Sequence, residues 1–327
     1  MKNNDTVNKI LVSVIVPNFN HQLFLKERLN SIVQQSYKNF ECIILDDASD
    51  DNSIEIIDHF VNKNKNFRSF KFHKNSGNTF VQWNKGVNMA KGEFIWLAES
   101  DDLADSDLLA KLLKPLIYDP DIAITYCQSH KMNHQGNVTG SWLDYTADLD
   151  AFQFEEDFVM EGIQFIDKFL IKRNVIPNAS AVLFRKSIFD KVGGADEMLK
   201  TNSDWLTWLK MLCYGKVAYI HDHLNYFRFH SKSVIGLANS FKSDNQYSQK
   251  FDYVLRKKIS QFLKLHSIVL PKRVLEYNKI AIQLDEGNLG LFVLGKGSFF
   301  YGWFLILKSS IYPKLKSGFI KKALKLL

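Results

Sequence analysis

The strongest constraint on the fold is an alternation of two hydrophobic periods over the first hundred residues. The run ILVSVIVP (10–17) is β-branched, of strand length, and ends at Pro17. LKERLNSIVQQS (25–36) then repeats Leu25, Leu29 and Ile32 at helical spacing. FECIILDD (40–47), FRSFKFHK (67–74) and GEFIWLAE (92–99) read as further strands, with helices predicted over 53–63 and 80–90. Apolar strands alternating with helices imply an α/β fold, a mainly parallel sheet flanked by helices on both faces. In such sheets ligands bind beyond the carboxyl ends of the strands. Those ends carry Asn18 to Asn20, Asp46 and Asp47, Asn75 to Asn78, and Glu99 to Asp102, so four polar clusters should share one edge.

Further along, a helix is predicted near 106–117 and a strand over 122–129. The acidic, aromatic stretch 133–160 reads as a long loop near a second ligand. Helices follow over 162–172 and 203–215, with strand-like VAYIHD and NYFRFHSKSVI after them. From about 238 the pattern is helical. This divides the chain into an α/β domain over 1–235 and a helical C-terminal extension over 236–327.

Charge separates the same two parts. The net charge is +7, yet residues 287–327 hold seven lysines and no acidic residue, which leaves 35 basic against 35 acidic residues elsewhere. A neutral body argues against nucleic acid as a partner. The tail sets lysines among Phe299, Phe300, Tyr301, Trp303 and Tyr312. It fits an anchor on an anionic membrane surface, and equally a helical subdomain packing on the body or on a second subunit, as in a homo-oligomer. Lys296 and the glycines at 295, 297 and 302 interrupt its first half, so a spanning helix is not expected. Cys42, Cys127 and Cys213 lack metal-type spacing and read as reduced core residues, which suits a cytoplasmic protein. The N-terminal stretch has no signal-peptide layout.

The segment LAESDD (97–102) ends an apolar strand with three crowded carboxylates, which need a compensating cation. A hard divalent ion takes carboxylate and phosphate oxygens together, and side chains two residues apart at a strand end point the same way. Helix capping by Asp101 or Asp102 is the other use of such residues. For Asp46 and Asp47 the choice lies between a ligand-facing carboxylate and a turn. A dinucleotide-dependent oxidoreductase or a sugar nucleotidyltransferase would need a glycine-rich loop after the first strand, where this chain has PNFNHQ.

Taken in order, VSVIVPNFN, LDDASDDNS, NSGNTFVQWNKGVNMAKGEFIWLAESDD, ASAVLFRKSIFDKVGGADE and SDWLTWLKML resemble a family 2 glycosyltransferase of the inverting, GT-A-fold kind. The resemblance covers roughly residues 11–235. It implies that Glu99-Ser100-Asp101 occupies the DxD position, whose carboxylates hold Mg²⁺ or Mn²⁺ against a nucleotide diphosphate. Glu99 departs from the usual Asp, which leaves its contact open between metal, ribose and water. The resemblance further implies Pro17, Asn18, Asp47, Asn84 and Ser100 on the nucleotide side. Asp47 would accept the N3–H of uracil or thymine, which cytosine lacks. Trp83 stands where a basic residue often precedes Asn84. His230 would face the metal or the diphosphate, and Asn178 to Ser180 and Arg228 the acceptor or phosphates.

Asp204 would be the general base, since inverting transfer is one in-line displacement that needs a single proton acceptor. Helix capping is its bland alternative. The implied reaction moves a sugar from a UDP- or dTDP-sugar to a hydroxyl of a glycan or lipid-linked acceptor, in surface polysaccharide synthesis on the cytosolic side of a membrane. A non-catalytic relative that binds nucleotide-sugar or glycan is the competing reading.

Overall fold

A computed structural model describes residues 9–176, 178–230, 246–266 and 270–295, together with 268, 302, 304–306 and 309. The chain divides into two compact units, 1–230 and 231–327.

In the first unit, β1 (Val12–Asn18) is buried along its whole length and lies parallel to β2 (Phe40–Asp46) on one side and β4 (Phe94–Leu97) on the other. β3 (Phe67–Lys71) extends the parallel run beyond β2. The helices α1 (Gln22–Val33), α2 (Ser53–Lys63), α3 (Thr79–Met89) and α4 (Leu108–Tyr118) connect these strands and follow them. Gly86 lets α3 approach the sheet closely, because a Cβ there would overlap the Ile15 side chain. Parallel register aligns the strand ends. Asn18 is level with Asp46, and Ile15 with Leu97, so the residues after β1, β2 and β4 emerge at one edge.

The expectation of a mainly parallel sheet holds for β3-β2-β1-β4; beyond β4 the sheet is mixed. β9 (Val182–Arg185) lies antiparallel between β4 and β6 (Ile122–Met132). β6 in turn runs parallel to β10 (Lys216–Arg228). The two strand-like segments expected after residue 215 are therefore one strand, bent by irregularities between Ile220 and Asn225. β5 (Leu103–Ala104) closes the order on β10.

The stretch 133–160 is not one loop. It contains β7 (Val138–Ser141), a 3₁₀ turn at Leu143–Tyr145, and β8 (Phe158–Met160). Its aromatics largely pack on the protein itself. Trp142 stacks on Phe227 and Phe229, and Phe154 meets Phe169 and Tyr219.

The predicted helix 162–172 is α5 (Gly162–Phe165) continued by a wider π-type turn over Ile166–Leu170. α6 (Lys186–Lys191) and α7 (Ser203–Leu212) complete the unit. Cys42 and Cys127 are buried and Cys213 is half-buried, all as free thiols.

The second unit is built on a helical pair, α8 (Gln246–Leu265) and α9 (Lys272–Gly295). Asn278 on α9 donates to the Arg256 carbonyl and to Ser260 Oγ on α8, and Tyr253 donates to Glu286. Among the described residues no helix is long and apolar enough to cross a membrane. Phe299, Phe300, Tyr301, Trp303, Tyr312 and all seven tail lysines lie outside the described residues.

Candidate functional site

The carboxylate cluster after β4 is split among separate tasks. Asp102 is buried and accepts hydrogen bonds from Asn178 Nδ2, Ser180 Oγ and the Arg228 amide, at 2.9, 2.7 and 3.0 Å. It ties the 178–180 turn and the end of β10 to β4. Asn178 and Ser180 are thus engaged with the protein rather than presented to a ligand. Arg228 is likewise spent, on Glu27 (2.7 Å), the Asp101 carbonyl (2.8 Å) and the His134 carbonyl (3.2 Å). Burial, followed by the neighbouring Asp101, pushes the Asp102 carboxyl up to about 6.

The protein supplies its own cation here. Arg28, on α1, is fully buried, and its three guanidinium nitrogens have no hydrogen-bond partner among the described residues. Its guanidinium carbon lies 4.8 Å from the Trp96 ring centroid. Burial lowers its pKa to about 10, and the fields of Asp102, Asp101 and Glu99 oppose that fall. Sequence reading passed over Arg28, although it shares the apolar face of Leu25, Leu29 and Ile32 at helical spacing.

Asp101 points elsewhere. Its Oδ2 lies 2.9 Å from His230 Nε2, and His21 completes a trio whose ligand atoms are all within 4.8 Å of one another. Cis ligands on an ion with bonds of about 2.1 Å stand about 3 Å apart, so the Asp101–His230 spacing fits a shared ion as well as a hydrogen bond. Asp101 and His230, both expected at a metal, stand together in this trio. His21 was not anticipated, and only its place among the polar residues after β1 hinted at it.

Glu99 is not part of the trio. Its carboxylate accepts from the Trp83 indole at 2.7 Å, and its amide donates to Ser180 Oγ. Burial, then Asp101, raises its pKa to about 8. Ser100 is buried with its hydroxyl 2.7 Å from His21 Nδ1, which directs it to the histidine.

At the same edge, Pro17 is level with Leu45, and Asn18 donates to Asp46 Oδ2 at 2.8 Å and to Ser49 Oγ at 3.2 Å. Asp46 also holds the Ser49 amide and hydroxyl, so Asp46 and Ser49 form the turn that sequence alone allowed. Asp47 reaches across to α3 and the preceding loop. It accepts from the Ser76 amide and hydroxyl and from Gln82 Nε2 (2.7 Å), which occupies the lone pairs expected to face a base. Asn18 Oδ1 and Gln82 Oε1 are buried acceptors with no partner among the described residues.

Asn84, expected on the nucleotide side, is a loop clamp. It donates to the Ala195 carbonyl (2.9 Å) and to Glu197 Oε1 (2.8 Å), and accepts from the Ala195 amide (2.9 Å). Gly193 and Gly194, at φ +77° and +70°, make the turn that brings the loop there.

Asp204 sits in the first turn of α7. The preceding Asn202 adopts a left-handed conformation and makes no side-chain cap bond. Asn174 Nδ2 donates to Asp204 Oδ2 at 2.8 Å. Ser203, one residue earlier, instead fixes Asp196 through its hydroxyl. The Asp204 carboxyl is raised to about 6 by burial, against hydrogen bonds from the Trp205 amide and Asn174. A half-buried carboxylate with one side-chain partner and a pKa near 6 can take a proton from a hydroxyl at neutral pH.

The sequence model described as Glycosyl transferase family 2 matches residues 13–193. An uncharacterized glycosyltransferase of Haemophilus influenzae is 32% identical over 154 residues, which span 46% of this chain and 61% of that protein. Among solved structures, Staphylococcus aureus TarS 1-349 in complex with UDP-GlcNAc superposes with a TM-score of 0.57 at 18% identity, covering 87% of this chain and 82% of that one. The mannosyltransferase PcManGT of Pyrobaculum calidifontis, in complex with GDP-Man and Mn²⁺, gives 0.56 at 16% identity, covering 91% and 79%. At these identities the structures establish the GT-A fold.

Proposed function

Because this chain belongs to glycosyltransferase family 2, we propose that it is an inverting, metal-dependent enzyme that moves a sugar from a UDP- or dTDP-sugar to a hydroxyl of a glycan or lipid-linked acceptor. The observation behind this reading is the division of labour between two carboxylates. Asp101 is grouped with histidines at the strand edge, while Asp204 is raised to about 6 at a helix start with one side-chain partner, Asn174.

In the proposed reaction the acceptor O–H loses its proton to the Asp204 carboxylate as its oxygen attacks the anomeric carbon from the face opposite the diphosphate. The anomeric C–O bond to the diphosphate breaks as the new glycosidic bond forms, with inversion. A divalent cation held by Asp101 and the histidines would neutralise charge on the departing diphosphate, so no protein acid is required. Asn174 holds the Asp204 carboxylate in place. Asp47 orders the Ser76 loop beside the base, and Asn18 Oδ1 and Gln82 Oε1 are the acceptors left for a base N–H at that edge.

The test is a panel of UDP- and dTDP-sugars with Mg²⁺ or Mn²⁺, read by released nucleotide in wild type and Asp204→Asn. Metal-dependent release from one donor, lost in the variant, supports the proposal. Donor binding with no release from any sugar would favour the non-catalytic reading. The basic tail is assigned to an anionic membrane surface on composition alone. Salt-sensitive flotation with anionic liposomes tests that assignment, and a protein that never floats would leave packing on the body or on a second copy.

A further inference from the structure

We infer that Asn78 is a positioning residue for the candidate base. Its amide ties the loop that leads into Asp204 to the turn on the nucleotide side, so that an occupied nucleotide edge steadies the base. This deepens the transferase reading, on which it rests only for what Asp204 does.

The loop runs over 194–202, between α6 and α7, and Asp204 is the second residue of the helix it enters. It is anchored on two sides. At the α7 end, the buried Ser203 hydroxyl accepts from the Asp196 amide (2.8 Å) and donates to the Asp196 carbonyl (3.0 Å). The Asp196 carboxylate and carbonyl accept in turn from the amides of Met198 (2.9 Å) and Leu199 (3.2 Å), which closes 196–199 into a turn. From the other side, Asn78 reaches in from the N-cap of α3. Its Oδ1 accepts from the Phe80 amide (3.0 Å), and its Nδ2 donates to the carbonyls of Glu197 (2.7 Å) and Leu199 (3.3 Å). Leu199 is 1% exposed and Met198 82%, so the turn is held on one side only.

The residue type answers to this second task. Asp and Ser cap a helix as well as Asn does, but only the amide adds donors for the loop. Asn78 also belongs to the turn that Asp47 orders. Its backbone amide donates to Ser76 Oγ (3.3 Å), and that hydroxyl donates to Asp47 Oδ2 (2.6 Å). A hydrogen-bonded path therefore runs from Asp47 through Ser76, Asn78 and the 196–199 turn to Ser203, next to Asp204. Contacts of this kind, few of them fully buried, open locally before a domain unfolds. A ligand that orders the Asp47 end makes that opening less favourable and steadies the loop before the base as well.

The experiment is hydrogen–deuterium exchange on the full chain, with and without UDP and MnCl₂, in wild type, Asn78→Asp and Asn78→Ser. Both variants keep an oxygen for the α3 cap and lose the donors to the loop, and either suffices where the other does not fold. In wild type, UDP should slow exchange over 75–80 and over 195–204 by about tenfold. In the variants the protection of 75–80 should persist and that of 195–204 should disappear. Turnover gives a second readout: kcat should fall about 10–10²-fold with the donor KM within about threefold, a split that lost stability alone would not produce. A wild-type loop that UDP leaves unchanged, UDP that protects neither segment, or protection of 195–204 that survives both substitutions would overturn the inference. Exchange is read without any sugar donor. Coupled protection in a protein that transfers nothing would therefore sink the transferase reading alone, and transfer without coupled protection would sink this inference alone.

Discussion

The guanidinium of Arg28 lies 4.8 Å from the centre of the Trp96 ring with none of its nitrogens hydrogen-bonded among the described residues. A buried cation in that position is compensated by charge rather than by hydrogen bonds. The carboxylates whose fields support it are Asp102, Asp101 and Glu99. The crowded acids after β4 and the buried arginine beneath them therefore explain each other.

Replacing Arg28 by Met should leave those carboxylates without their counter-charge and cost about 3–5 kcal/mol, the range for breaking a buried ion pair from one side. Urea unfolding measures it. Adding Asp102→Asn to Arg28→Met should recover part of the loss, because the double variant buries one charge fewer. Additive losses in the double variant would mean that Arg28 acts by packing alone.

Asp204 gives stability and activity opposite pH trends. Its folded pKa, about 6, lies above the ordinary value of 3.8, so the native state binds this proton more tightly than the unfolded chain does. Its contribution to stability is greatest below about pH 4. That contribution should fall by roughly 1 kcal/mol per unit as pH rises toward 6, then level off. Transfer should rise over the same interval as the carboxylate forms. Asp204→Asn should flatten the stability slope and cut turnover by about 10²–10⁴-fold, with UDP binding retained. Turnover within tenfold of wild type would remove Asp204 from the mechanism.

Asn84→Ala should release the 195–197 loop from α3 and cost about 1–3 kcal/mol, as expected for buried backbone groups left unpaired. UDP affinity should stay within about threefold, because its amide is committed to the loop. A larger loss of UDP binding, measured by calorimetry, would return Asn84 to the nucleotide side.

Gly162→Ala tests how α7 is seated. A Cβ at 162 would overlap the carbonyl oxygens of Leu212 and Gly215, which are backbone and cannot swing aside. We expect a loss of more than about 2 kcal/mol, together with a fall in turnover as the end of α7 shifts. Wild-type melting and activity in this variant would show that the contact relaxes freely.

The sequence by itself determined the elements of the first half and the edge where the chemistry gathers. Hydrophobic period is a local property, and it located β1, β2, α2 and β4 to within a few residues, with Asp47 and Asp101 just after two of them and Asp204 at the start of the helix predicted over 203–215. Tertiary structure alone decided what each of those groups does. Glu99 looked equivalent to Asp101 by spacing, but the strand end turns one toward Trp83 and the other toward His230. Arg28 is separated from Asp102 by five whole elements, β2 to β4, and His21 from His230 by nearly the whole first unit. Whether a polar side chain meets a ligand or a neighbour depends on through-space partners and on solvent exclusion, which period and propensity do not encode. Asn84 and Arg228 illustrate the consequence: their hydrogen-bonding groups are spent on loops that only the folded chain brings within reach.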